Sequence, residues 1–147
     1  MNLTRFTDYS LRVLMLLAVV PERLITIEEM ARRYGISKNH LVKIVHQLGL
    51  LGYVETVRGK HGDVRLAEQT EDISLGDVVR DFEGNMDIAE CFAPDPETCP
   101  IESCCRLQPI LRDALGAFLA VLDQYSLRDL LSCRRELLRL LEDGVAS

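Results

Sequence analysis

Apolar residues recur along the first fifty positions at three- and four-residue intervals, and residues that favour turns or caps separate the runs. Leu11, Leu14, Met15 and Ala18 share one face of a helix expected from about Thr7 to Val20, which Pro21 ends. Thr26 opens a second helix with Ile27, Met30, Ala31 and Tyr34 on its apolar side. Glu29, three residues on, would complete a capping box with Thr26, and Gly35 stops the helix. Ser37 caps a third, with Leu41, Ile44, Val45 and Leu48 facing inward and Gly52 closing it. The period then shortens. The segment YVETVRGKHGDVRL predicts two short strands around the basic, glycine-bearing turn Arg58-Gly59-Lys60-His61-Gly62. Ser74 starts another helix, carrying Leu75, Val78 and Val79 to about Glu83.

From 84 to 106 the pattern is lost, and Pro94, Pro96 and Pro100 rule out a continuous helix. A long helix follows, striped by Leu107, Leu111, Leu115, Phe118, Leu122 and Tyr125 and widened by Ile110, Ala114, Leu119 and Val121. A helix apolar on two sides needs two partners: its own domain and, we expect, the same helix of a second subunit. Shorter helices from Ser126 to about Leu141 close the chain, with Cys133 read as a small buried residue. The expected fold is therefore mainly α. A winged helix-turn-helix DNA-binding domain occupies 1–83, a cysteine-bearing loop 84–106, and a dimerisation helix with C-terminal helices 107–147.

Composition fits this layout. The 147 residues contain no tryptophan and four phenylalanines, so leucine, valine and isoleucine must build the core. The longest apolar run, Val13–Val20, is too short to span a bilayer, and no stretch resembles a secretion signal. A cytoplasmic protein without a membrane partner is expected. The formal net charge is −6, but residues 1–66 hold ten Lys and Arg against six Asp and Glu. A locally positive half can meet a polyanion whatever the total. In the third helix Ser37, Lys38, Asn39, His40, Lys43 and Gln47 stand opposite the apolar face. They are donors and acceptors able to reach phosphates and base edges in a major groove. Arg58, Lys60 and His61 place further donors on the hairpin loop, as a wing along the backbone requires. No nucleophile–histidine pairing and no phosphate-cradling loop is evident, so an enzyme is not expected.

Five cysteines are many for a reducing compartment, and Cys91, Cys99, Cys104 and Cys105 fall within fifteen residues. The spacing Cys91-x7-Cys99-x5-Cys105 lacks the close pairs of structural zinc sites. Soft thiolates on a bent loop suit an iron–sulfur cluster, zinc, or a thiol–disulfide sensor, and ligand type alone leaves all three open.

The segments LTRFTDYSLRVLM, YGISKNHLVKIVHQL, GYVETVRGKHGDVRL, SLGDVVR, the cysteines ending in CRL, and FLAVLDQYSLRDL together resemble the NsrR group of nitric-oxide-sensing repressors, within the Rrf-two superfamily of winged-helix regulators. The resemblance spans nearly the whole chain. It implies a homodimer on a palindromic operator in double-stranded DNA, relieved by nitric oxide. It also implies an iron–sulfur cluster, 4Fe–4S ahead of 2Fe–2S, held by Cys91, Cys99 and Cys105, with Asp8 of the partner subunit as fourth ligand. Cys105 is preferred to Cys104 because it directly precedes Arg106-Leu107. Two departures stand out: a longer gap between the first two cysteines, and Asp63 after Gly62 where a second glycine is common. Sibling regulators of cluster assembly carry a histidine shortly after the last cysteine. Here position 108 is glutamine, and no histidine follows Cys105.

Overall fold

The computed structural model describes residues 2–57, 62–67, 69–84, 86–93 and 99–143. Helix α1 (Arg5–Val19) begins two residues earlier than the periodicity suggests, because Thr4 caps it by accepting the Thr7 N–H. Its apolar stripe forms the centre of the molecule. Val13, Leu14 and Leu16 have no exposed surface, and Ser10, equally buried, donates to the Phe6 carbonyl. Burying such side chains contributes about 1.5–3 kcal/mol each by area bookkeeping, an upper estimate.

Strand β1 (Ile25–Thr26) leads directly into helix α2 (Ile27–Tyr34). Thr26 accepts the Glu29 N–H as expected. The reciprocal half of the box is replaced, for the Glu29 carboxylate turns instead to Arg33, at 2.7 Å, and to Arg23. Gly35, at φ 65°, ends α2 in the left-handed conformation that glycine adopts without a Cβ penalty. Helix α3 (Lys38–Leu50) follows after three residues, capped by Ser37, and buries the four residues expected of it. Strands β2 (Val54–Val57) and β3 (Asp63–Leu66) pair antiparallel, Val54 opposite Leu66 and Val57 opposite Asp63. The sheet has the order β1-β3-β2, with Ile25 opposite Val64. A two-residue strand carries no period of its own, and only its pairing with β3 defines it.

Helix α4 (Leu75–Phe82) is capped by Ser74 and buries Leu75, Val78, Val79 and Phe82. Two short 3-10 turns, Glu90–Phe92 and Glu102–Cys104, lie in the cysteine loop. Helix α5 (Leu107–Leu122) is shorter than its stripe, which ran to Tyr125. The chain breaks there because residues 73–75 capture the backbone: Leu75 N–H donates to the Tyr125 carbonyl and Leu127 N–H to that of Ile73. A 3-10 segment (Leu127–Leu131) and helix α6 (Arg134–Asp143) then pack on α1 and α2, away from α5. Leu127 is fully buried, Arg134 Nε donates to the Val19 carbonyl, and the buried Arg33 donates to that of Leu141. Cys133 departs from expectation: it is exposed, in the turn before α6. Among the described residues no helix is long and apolar enough to cross a membrane.

Candidate nucleic-acid interface and cysteine loop

The α2–turn–α3 unit places one face of α3 against α1 and leaves the other open. Ser37 accepts the His40 N–H at 3.3 Å, so its side chain is occupied in setting the helix start. Lys38, Asn39, His40 and Lys43 are exposed, and Gln47 is half-buried. Lys38 Nζ lies 3.6 Å from the Glu28 carboxylate. Both groups are largely exposed, and such pairs are worth little, so a phosphate can displace the glutamate readily. Arg58, Lys60 and His61 lie outside the described residues. The strands that carry them stand beside the C-terminal end of α3, joined to it by the hydrogen bond from Tyr53 N–H to the Leu48 carbonyl.

In the cysteine loop, Cys91 sits in the first 3-10 turn, and Cys105 closes the second. Cys91, Cys99 and Cys105 are half-buried, Cys104 is exposed, and all are free thiols. Cys104 donates to the Ile101 carbonyl at 3.5 Å. The first turn is fastened to α5: Gln108 donates to the Cys91 carbonyl at 3.3 Å, and the Arg112 guanidinium stands 5.8 Å from the Phe92 ring centre. Both contacts come from successive turns of one helix face. Among the described residues no three His, Cys, Asp or Glu side chains converge on a point. The fit to an iron–sulfur group therefore rests on donor chemistry, three free and partly accessible soft thiols, rather than on an assembled cage.

Asp8 projects from the first turn of α1, where Arg12 holds it through Nε at 3.0 Å and a second nitrogen at 2.9 Å. The hydrogen bond that Arg12 donates to Asp8, ahead of opposing desolvation, raises the Arg12 pKa above its usual value. Arg12 escaped the sequence reading, although its i,i+4 spacing from Asp8 was a legible signal. Tyr34 donates to the Arg12 carbonyl at 2.8 Å, and burial pushes its phenol up to about 12 against the opposing pull of Arg12 and Arg33. Three further contacts had no sequence signal. Tyr53 donates to Asp81 at 2.6 Å, Glu83 accepts from Thr4 N–H at 2.6 Å, and Arg80 grips Asp123 with two nitrogens, at 2.7 and 2.6 Å. That grip raises the Arg80 pKa and lowers that of Asp123 from their ordinary values.

A helix-turn-helix with an open polar face, backed by a three-stranded sheet whose hairpin stands at its end, defines a winged-helix regulator. The profile of the Rrf2 family, described as iron-dependent transcriptional regulators, matches residues 3–132, and the chain belongs to that family. It is 49% identical to the HTH-type transcriptional regulator NsrR of Bacillus subtilis (strain 168) over 143 residues, spanning 97% of this chain and 98% of that protein. Among solved structures, oxidized CymR of Staphylococcus aureus matches with a TM-score of 0.71 at 27% identity, over 90% of this chain and 97% of that one. T. potens IscR shares the fold at a TM-score of 0.71 and 22% identity, over 93% and 90% of the two chains. The full-length relative is named as a regulator, in line with the expectation that the chain is not an enzyme.

Proposed function

We propose that the chain is a dimeric transcriptional repressor. In this reading α3 enters the major groove of a palindromic operator, and the β2–β3 loop, with Arg58, Lys60 and His61, follows the phosphates. Nitric oxide relieves repression through an iron–sulfur cluster on Cys91, Cys99 and Cys105. The observation that carries the proposal is the pairing, in one chain, of an open polar α3 face with three free thiols on a loop fastened to α5. When bound, the cluster supplies iron with high affinity for nitric oxide.

The protein's own residues supply the rest. Lys38 and Lys43 offer charge to phosphate, while Asn39 and Gln47 can pair with base edges. Asp8 of the partner subunit is the candidate fourth ligand. In this chain its carboxylate is shared with Arg12, yet a carboxylate has about four lone-pair sites and can serve both. Because α1 packs directly on α3, whatever holds or releases the first turn of α1 bears on the helix that reads DNA. Gln108 and Arg112 likewise fix the cysteine loop to α5, the helix expected to lie along the dimer axis. The dimer, its operator and the cytoplasmic setting form one reading, since half-sites one helical turn apart, or a multiple of it, call for two recognition helices at fixed spacing.

The test is anaerobic purification followed by iron, sulfide and visible-absorption measurements, with operator binding titrated by nitric oxide. Coloured protein that releases operator on titration is expected. Cys99→Ala should stay folded and lose both colour and specific affinity. Stoichiometric zinc in colourless protein, or operator binding indifferent to nitric oxide, overturns the proposal.

A further inference from the structure

The unit that carries α3 meets α5 chiefly through α4. On that helix two adjacent residues reach in different directions. Arg80 clasps Asp123, one residue beyond α5, and Asp81 accepts from Tyr53 at the root of the wing. Tyr53 ties that root together, its N–H donating to Leu48 at the end of α3 and its carbonyl accepting from Ala67 after β3. One turn before Arg80 lies Gly76, buried under the Asp123 carboxylate: a Cβ there would stand 1.9 Å from Asp123 Oδ1 and 2.9 Å from its Cγ. Asp77 adds a second carboxylate to the cluster, 3.2 Å from Arg80. Gly76 is the second residue of α4, and the Asp123 carboxylate fills the space that a larger side chain there would need.

We infer that Arg80 and Asp123, seated on Gly76, form a positioning latch that sets the angle between the DNA-reading unit and α5, and so the spacing between the two recognition helices of a dimer. The inference rests on the proposed dimeric reading of two half-sites. Both partners are close to 40% exposed, so the ion pair adds little to stability. What a two-pronged guanidinium–carboxylate contact supplies is direction, because the planar fork accepts only a narrow range of approach. A latch where α4 meets the end of α5 converts that direction into distance across the dimer. DNA-binding dimers are strict about half-site spacing, as the two helices must meet the same groove one turn or more apart.

The experiment uses the full chain purified anaerobically and a duplex selected by the wild-type protein from a random library. Binding is measured on that duplex, on versions with one base pair added or removed between half-sites, and on random-sequence DNA. Asp123→Ala and Arg80→Ala should lose about tenfold or more on the selected spacing and much of the discrimination between spacings, while affinity for random DNA stays within about twofold. Gly76→Ala should behave like Asp123→Ala, and the double variant no worse than either, since removing the carboxylate vacates the space the new methyl needs. Thermal unfolding and molar mass are followed in parallel. Variants that keep the wild-type spacing preference overturn the latch, as does a uniform loss on all DNA with lowered melting temperature. Wild-type protein showing no spacing preference at all refutes instead the two-half-site reading beneath it.

Discussion

The two halves of this molecule are finished to different degrees. In the α1–α4 unit, Leu14, Leu41, Ile44 and Leu48 are all but inaccessible, and no buried side-chain nitrogen or oxygen among the described residues lacks a partner. Helix α5 is richer in leucine and alanine than any other, yet none of its residues is buried, and Leu107 and Ile110 are each 61% exposed. The α1–α4 unit completes its core within one chain, whereas the α5 face stays open in it. Contiguous exposed apolar side chains of this kind mark interaction surfaces.

Truncation breaks the comparison most sharply. Leu14→Ala should cost about 2–5 kcal/mol in denaturant unfolding, because a fully buried leucine leaves a cavity. The same kind of change at the exposed Ile110 should cost the isolated subunit less than about 0.5 kcal/mol. If the two cost the same, α5 is not an open face. Ile110→Asp should go further and halve the molar mass seen by light scattering, with the helical circular dichroism kept; an unchanged mass would place the dimer contact elsewhere.

A third probe works through pH. The Tyr34 phenol is raised from 10.0 to about 12 by burial, so the native state holds its proton where the unfolded chain has lost it. The stability linked to this group is complete below pH 10 and drains away as pH rises towards about 12, by about 2–3 kcal/mol in all. Comparing wild type with Tyr34→Phe across that window isolates the effect, and parallel curves would deny it. A smaller loss than that at Leu14 or Tyr34 is expected at the start of α3, where Ser37→Ala should cost about 1 kcal/mol through loss of the cap, read as a lowered denaturant midpoint.

Much of the reading head was legible because its signals are local. Gly35 and Ser37 punctuate α2 and α3 through backbone angles and cap bonds that depend on a few neighbouring residues, and the alternation around Val54 and Val64 sets the hairpin. Local grammar also misled. Glu29 has the capping-box spacing, but the nearby guanidinium of Arg33, buried under α6, outbids the Thr26 N–H for its carboxylate. Cys133 was read as buried in an apolar helix and is exposed, since it falls in the turn that breaks the chain before α6.

The sequence by itself determined where the helices and the hairpin fall, which faces are apolar, and which thiols and polar residues are available as donors. Those properties follow from neighbours within a turn or two along the chain. Tertiary structure alone decided that α5 ends at Leu122, that residues 126–143 fold back onto α1 and α2, and that Arg80 meets Asp123 over Gly76. Each of those depends on groups dozens of positions apart. Their meeting follows from packing and hydrogen-bond geometry, which hydrophobic periodicity does not encode.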